Sequence, residues 1–218
     1  MKLLLTSDGL SNPSIVNALQ ELVGKPFQQA SVAFIPTAAN VYRGDKQWII
    51  EDLRKLQELG FRSIDLIDIS AVEKDLWLPG FESADVLLFE GGSTFHLMEW
   101  IKKSGLEALL SEMLKTKVYV GISAGTIVAG RSLDLEMTPV LYGEPTGSYT
   151  EDKGLGFFDT LVRVHVNSPS FPEMTFGSLD KIAKEQSSSF YAIDDQTAIK
   201  VVDGVVEVIS EGEWKKYN

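Results

Sequence analysis

The chain has 218 residues, of which 44% are hydrophobic and 23% are charged, as is usual for a globular protein with a sizeable core. Its 31 acidic and 20 basic residues give a net charge of −11, which disfavours binding to nucleic acid and to anionic membranes because both attract cations. The absence of cysteine excludes disulfides, thiolate catalysis and cysteine metal ligands. No apolar run approaches the roughly 20 residues that a membrane span needs. We therefore expect one cytoplasmic domain, residues 1–218, without cofactor or metal.

The first half of the chain alternates between predicted strands and predicted helices. Asn12 and Pro13 are start signals for the first helix, and Gly24 is its stop signal. Residues 84–89 form a nearly continuous apolar run, which is typical of a strand buried on both faces. Such an alternation predicts a parallel sheet with right-handed crossovers. The predicted strands are 1–6, 31–35, 63–67, 84–89 and 118–120, and the predicted helices include residues 15–22, 49–56, 94–101 and 106–114.

The pattern changes after Arg131. Residues 131–159 contain closely spaced prolines, glycines and acidic residues, which predict an irregular and partly exposed excursion. Beyond it the sequence predicts a strand at 161–166, a helix at 172–184 and short strands at 191–193, 198–202 and 205–209. The pair Asp203-Gly204 between the last two strands is a strong signal for a two-residue hairpin turn.

The most informative stretch is Gly-Ile-Ser-Ala-Gly, residues 121–125. It lies between a predicted strand and a predicted helix, and this is the pattern of a nucleophile elbow. Glycines on either side of the serine permit a sharp turn, which lifts the hydroxyl of Ser123 to a helix N-terminus. The alternative interpretation is a tight strand-to-helix turn with a small residue at its tip.

A serine nucleophile requires a base, and the sequence has two histidines. His165 lies near the end of a predicted strand, and we favour it over His96, whose position in a helix is more simply explained by packing. The acid that orients the base is expected on a nearby loop, where Asp134 and Glu136 are the candidates. Spacing does not separate these two acids.

Acyl transfer also requires two N–H donors for the developing oxyanion. The amide of Ala124, directly after the serine, is one candidate. A glycine amide at Gly91 or Gly92 is the other, because a missing side chain lets substrate approach the backbone. Both turns are expected at the carboxyl edge of one parallel sheet, where ligands bind.

Several segments together resemble the peptidase E family of serine peptidases, the aspartyl dipeptidases related to cyanophycinases. They are 34–38 (Phe-Ile-Pro-Thr-Ala), 90–97 (Glu-Gly-Gly-Ser-Thr-Phe-His-Leu), 121–125, the later His165 and 194–198 (Asp-Asp-Gln-Thr-Ala). The resemblance implies a three-layer α/β sandwich with a mostly parallel central sheet, similar to class I glutamine amidotransferases and to flavodoxin. It also implies a Ser–His–acid hydrolase that acts on peptides with an acidic first residue.

Carried over to this chain, the resemblance implies Ser123 as nucleophile, His165 as base and Gly92 as the oxyanion-hole glycine. The family acid precedes a Met-Pro pair, which makes Glu136 the first choice and Asp134 the second. The family also reads its acidic substrate with an arginine beyond the histidine, and this sequence has no arginine after Arg163. Lysine at 181 or 184 is the possible substitute.

These observations predict a serine dipeptidase whose partner is a small peptide. Two alternatives remain. One is an esterase of the α/β-hydrolase class, which the short spacing of 42 residues between Ser123 and His165 disfavours. The other is a binding protein that kept the scaffold and lost turnover, which the altered acid and the missing arginine suggest. The sequence predicts no oligomeric state.

Overall fold

The computed structural model describes residues 1–185 and 189–217. The strands are β1 (Lys2–Thr6), β2 (Ser31–Ile35), β3 (Ser63–Leu66), β4 (Val86–Phe89), β5 (Val118–Ile122), β6 (Leu161–Arg163), β7 (Phe190–Ile193), β8 (Thr197–Val202), β9 (Val205–Ser210) and β10 (Trp214–Tyr217). The helices are α1 (Pro13–Val23), α2 (Gln47–Glu58), α3 (Lys74–Ser83), α4 (Thr94–Lys103), α5 (Glu107–Met113), α6 (Ala124–Ala129), α7 (Thr138–Tyr142) and α8 (Phe176–Glu185). None of these eight helices combines the length and the hydrophobicity that crossing a bilayer requires.

The main sheet has seven strands in the order β3-β2-β4-β5-β1-β8-β9. The strands from β3 to β1 are parallel, and β8 and β9 are added antiparallel. Apolar side chains from alternate strand positions face two separate cores. One core packs against α3 to α6 and the other against α1 and α2. This arrangement confirms the predicted three-layer α/β sandwich with a mostly parallel central sheet.

A second sheet of three strands, in the order β10-β7-β6, carries the segment that leads to His165. It packs with α7 and α8 around a third, smaller core that includes Val166, Met174 and Phe190. Because Val166 belongs to this core, the chain beyond β6 is anchored to the second sheet. The predicted strand 161–166 is therefore shorter in the structure and ends at Arg163, because the backbone turns at His165 into a positive φ of 62°.

Three elements of the structure, α3, α7 and β10, were not predicted from the sequence. Helix α7 lies within residues 131–159, which were expected to be irregular. Helix α3 contains Pro79 and Gly80, which usually break helices, so the sequence pattern did not indicate a helix there. Strand β10 lies near the end of the chain, and only its pairing with β7 identifies it. The predicted hairpin at Asp203-Gly204 is confirmed, since both residues have the positive φ that a type I′ turn needs.

The topology brings the ends of β1, β4 and β5 to one edge of the main sheet. The residues that follow these strands are Ser7, Glu90 and Ser123, and all three line one cavity. This edge is the place where open parallel sheets bind ligands.

Candidate active site

Ser123 is held in a strained turn between β5 and α6. Its φ of 50° and ψ of −107° lie in a region that side chains other than glycine rarely occupy. The turn is tied to β1, because the Ser123 amide donates to the Thr6 carbonyl at 3.2 Å and the Thr126 hydroxyl donates to the same carbonyl at 2.7 Å. The strain and the anchoring are those of a nucleophile elbow, with the Ser123 hydroxyl at the sheet edge.

The glycines at 121 and 125 are both sterically required. A Cβ on Gly121 would lie 2.6 Å from the backbone of Gly125, and a Cβ on Gly125 would lie 2.1 Å from the carbonyl oxygen of Phe89 in β4. The hydroxyl of Tyr119 also donates to the Gly125 carbonyl at 2.6 Å. The close approach of α6 to β4 and β5 therefore explains this motif.

His165 reaches Ser123 from the chain segment after β6. Its Nε2 lies 2.8 Å from the Ser123 Oγ, although 42 residues separate them in the sequence. Its ring stacks on Phe171 with 4.6 Å between ring centres and 20° between planes. The positive φ at His165 and this stacking together fix the direction of the imidazole.

The carboxylate on the other side of His165 belongs to Asp195. Its Oδ1 lies 2.7 Å from the His165 Nδ1, on the turn between β7 and β8. The hydroxyl of Ser7 donates to the same Oδ1 at 2.7 Å and accepts the backbone N–H of His165 at 2.7 Å. Burial raises the pKa of Asp195, but the hydrogen bonds from His165 and Ser7 outweigh it and hold the pKa below its usual range.

The structure corrects the sequence-based choice of acid. Glu136, the first choice, is exposed in the turn before α7, and Asp134, the second choice, pairs with the buried guanidinium of Arg163. The hydrogen-bond partner of His165 is instead Asp195. Sequence proximity to His165 favoured the two loop acids, whereas the pairing of β8 with β1 brings Asp195 in from 30 residues further along.

A signal for Asp195 was present in the sequence. The segment 194–198 was among those that carry the family resemblance, but no role was assigned to its two acids. Asp194 has a different task, because its carboxylate accepts the Gln196 amide at 3.0 Å and the Thr197 hydroxyl at 2.7 Å and so shapes the turn. Ser7, the other missed residue, follows β1 in a stretch that shows no motif.

Gly92 and Ala124, the predicted oxyanion donors, follow the ends of β4 and β5 at the sheet edge that carries Ser123. Gly92 lines the same cavity as Ser123, and its φ of 133° together with its contact on the Ala38 backbone leaves no room for a side chain. Ala124 is the first residue of α6, so its N–H has no acceptor within the helix. His96 does not line this cavity and packs edge-on against Trp100.

Three further carboxyl groups lie in the cavity beside Ser123. Glu90 is fully buried, and no N–H or O–H group of the described residues hydrogen-bonds to either of its carboxyl oxygens. Burial, with the neighbouring Asp52, raises the pKa of Glu90 well above its usual range. Burial also raises the pKa of Asp52 to about 6, and that of Asp8 above its usual value. Burial therefore favours the protonated form of Glu90.

Replacing Glu90 by glutamine is expected to stabilise the fold at pH 7 to 8. In the unfolded chain the Glu90 proton dissociates near pH 4.5, whereas the folded chain retains it, so wild-type stability falls as the pH rises above that value. Glutamine has nearly the same shape as glutamate and does not titrate. We expect a Tm gain of about 3 °C or more at pH 7.5, which roughly 1 kcal/mol gives in a chain of this length, and little difference at pH 4. Thermal unfolding at both pH values measures it, and an equal or lower Tm at pH 7.5 would show that Glu90 is not held protonated.

The model of peptidase family S51 matches residues 3–209. The chain belongs to peptidase family S51. This S51 chain is 28% identical over 176 residues to an uncharacterized peptidase of Listeria monocytogenes, covering 79% of this chain and 82% of the relative. It is 33% identical over 109 residues to peptidase E of Pasteurella multocida, covering 49% and 44% of the two chains. The predicted resemblance to peptidase E is thereby confirmed.

Solved structures support the fold of this S51 member. A crystal structure of a Listeria monocytogenes protein described as peptidase E superposes with a TM-score of 0.78 at 24% identity, covering 97% of this chain and 98% of the other. A peptidase from an acI-B1 Actinobacterium superposes with a TM-score of 0.72 at 18% identity, covering 98% and 88%. At these identities the similarity establishes the architecture alone.

Proposed function

We propose that this S51 family member is a serine peptidase that hydrolyses short peptides. Ser123 is the nucleophile, His165 the general base and Asp195 the acid that orients it. The observation that carries the proposal is the chain of two hydrogen bonds, 2.8 Å from Ser123 Oγ to His165 Nε2 and 2.7 Å from His165 Nδ1 to Asp195 Oδ1. Such a chain lets imidazole remove the hydroxyl proton while a carboxylate stabilises the resulting imidazolium.

In the acylation step the Ser123 Oγ attacks the carbonyl carbon of the scissile peptide bond, and its proton passes to His165 Nε2. The C–N bond then breaks as His165 returns that proton to the leaving amine. The acyl group of the substrate stays on Ser123 as an ester. Water attacks this ester in the second step with His165 again as base, which releases the acid product and restores the hydroxyl.

Negative charge develops on the carbonyl oxygen in both steps. We assign the amides of Gly92 and Ala124 as its hydrogen-bond donors, since each follows a strand that ends at the Ser123 edge of the sheet. The positive φ of Gly92 and the helical start at Ala124 fix both amides before substrate arrives. Donors set in advance stabilise the transition state without reorganisation.

The dimensions of the cavity favour a small peptide as substrate. Its volume is about 500 Å³, in the range that encloses small ligands. Aromatic side chains at Tyr42, Trp48 and Phe171 contribute apolar surface to its lining. A dipeptide is the substrate that we propose on this basis.

A dipeptide library tests this function. Wild-type protein is expected to hydrolyse at least one class of dipeptide, and Ser123→Ala and His165→Ala are expected to lose at least 10³-fold in kcat. Liquid chromatography of the released amino acids measures the rates, and circular dichroism confirms that each variant folds. Hydrolysis that survives in folded Ser123→Ala would remove the proposed nucleophile.

Replacing Ser7 by alanine is expected to lower kcat about 10-fold with little change in KM. The change removes one hydrogen bond to Asp195 and leaves the buried N–H of His165 without its acceptor, for a cost of about 1.4 kcal/mol. Ser11→Ala is the matched control, because the Ser11 hydroxyl donates at 2.7 Å to the backbone carbonyl of Asp195 and not to its carboxylate. Steady-state kinetics on the best dipeptide compare the two, and an unchanged kcat in Ser7→Ala would show that Ser7 does not support the imidazole.

A further inference from the structure

Both cations and carboxyl groups line the cavity. Arg43, which is exposed, and Lys46, which is half-buried, lie on the loop before α2 together with the exposed Asp45. Three further carboxyl groups come from different elements: Asp8 from the loop after β1, Asp52 from helix α2 and Glu90 from the end of β4. Glu90 is fully buried, Asp52 is half-buried and Asp8 is exposed, so Glu90 lies deepest of these three, which we call the acidic floor.

The acidic floor has no internal counter-charge. None of Asp8, Asp52 and Glu90 forms an ion pair within residues 1–185 and 189–217. The Glu90 carboxyl has the Asp52 carboxyl as its neighbour and lacks a donor of its own. Buried carboxyl groups in a folded protein are normally paired or bonded to donors, so this floor is set up for a cation from outside.

An ammonium group fits the acidic floor better than a metal ion does. No set of three Asp, Glu or His side chains in the described part of the chain has the spacing of a metal site. A primary ammonium offers three N–H donors, which suits carboxyl oxygens presented from separate elements. Glu90 directly precedes Gly91, whose missing Cβ would lie 3.2 Å from the Ser123 Cβ. A group bound at this floor therefore belongs to the part of the substrate nearest the reacting carbonyl.

We propose that Asp8, Asp52 and Glu90 form the binding site for an ammonium group of the substrate's first residue. The proposal rests on the proposed function, because it names the substrate class of that same site. Two sources supply the group: the side chain of a basic first residue, or the free α-amine of any first residue. A basic side chain as the source departs from selection by an acidic side chain, for which the resemblance implies an arginine beyond His165. Binding of the α-amine is compatible with any first residue.

A binding measurement tests this proposal independently of peptide hydrolysis. Calorimetric titration of Ser123→Ala with Lys-Leu, Nle-Leu, Asp-Leu and their N-acetylated forms measures affinity in a protein that does not cleave them. Norleucine matches the lysine side chain in shape without its charge. We expect at least a 10-fold loss of affinity when the bound ammonium is removed. Loss on going from Lys-Leu to Nle-Leu identifies the side chain, and loss on N-acetylation identifies the α-amine.

The double variants of Ser123→Ala with Asp52→Asn and with Glu58→Gln complete the test. Asp52→Asn is expected to abolish the 10-fold difference. Glu58→Gln, an equal change of charge at the exposed far end of α2, is expected to preserve it. The inference is overturned if no dipeptide responds to removal of its ammonium or if Asp52→Asn retains the full difference. Tighter binding of Asp-Leu than of Lys-Leu and Nle-Leu excludes the side-chain source. Because the titration requires no cleavage, an inactive wild type would count against the peptidase proposal and not against the ammonium site.

Discussion

Replacing Asp195 by asparagine is expected to lower kcat about 10⁴-fold, the loss that the same change causes in the Ser–His–Asp hydrolases. Asparagine keeps the size of the side chain, but it removes the charge that stabilises imidazolium. Its amide N–H₂ can also face His165 Nδ1, which favours the wrong tautomer of the ring. The Asp195 carboxylate lies 2.7 Å from that nitrogen, and among the residues that the structure describes no other carboxylate hydrogen-bonds to His165. Steady-state kinetics on a dipeptide that the wild type cleaves measure the effect.

Glu136→Gln is the decisive control for this prediction. Glu136 is exposed in a turn, so its replacement is expected to leave kcat within about twofold of wild type. The pair of variants distinguishes the acid that the structure brings to His165 from the acid that the sequence favoured. A large loss in Glu136→Gln together with a small one in Asp195→Asn would contradict the assignment.

Replacing Gly125 by alanine is expected to destabilise the protein by about 3 kcal/mol, near the upper end of the cost of overpacking a core. The added Cβ would lie 2.1 Å from the Phe89 carbonyl oxygen, and backbone atoms of β4 do not yield as a flexible side chain does. Relief requires α6 to move away from β4, and this movement displaces Ser123. We expect a fall in Tm of about 10 °C and a loss of activity in the protein that remains folded.

Gly177→Ala is the matched control for Gly125→Ala. Gly177 lies in the first turn of α8, and a Cβ there would meet only the Thr175 hydroxyl, at 3.8 Å. Alanine is more favourable than glycine in a helix by up to about 1 kcal/mol, so the Tm of Gly177→Ala is expected to equal or exceed that of wild type. Thermal unfolding followed by circular dichroism compares the two variants. A Tm for Gly125→Ala within 2 °C of wild type would show that the elbow tolerates a side chain.

The fold was largely predictable because local patterns determine most of it. The alternation of apolar strands with capped helices predicts a parallel sheet, and five of the central strands lie where the pattern places them. Helix α3 was not predicted because Pro79 and Gly80 both have a low helix propensity. Packing of Trp77 and Phe81 against the core stabilises the helix in spite of them. The addition of β8 beside β1 depends on contacts between the two ends of the chain, which no local pattern records.

The candidate site was predictable where a residue type is rare and less so where it is common. Two histidines and one elbow serine left few pairings, and the structure brings Ser123 and His165 together. The chain has 31 acidic residues, so sequence spacing alone could not identify the acid that orients His165. Asp195 becomes evident only when Thr6 of β1 is paired with Ala198 of β8, which places Ser7 beside the turn that carries Asp195.

The position of Asp195 also bears on the binding-protein alternative. That alternative was motivated partly by the altered acid near residue 136, and Asp195 supplies a carboxylate on His165 without it. No arginine follows Arg163 in the sequence, Arg163 is buried with Asp134, and Arg131 pairs with Asp159 at the surface. Arg43, which precedes His165 in the chain, does line the cavity.

Labelling with a fluorophosphonate probe tests the central claim most directly, because the probe forms a stable bond only with an activated serine. We predict one probe per wild-type chain, located on Ser123 by peptide mass spectrometry, together with no labelling of Ser123→Ala and much slower labelling of Asp195→Asn. Labelling of Ser123→Ala at the wild-type rate, or wild-type protein that cleaves dipeptides while Ser123 stays unlabelled, would contradict the account.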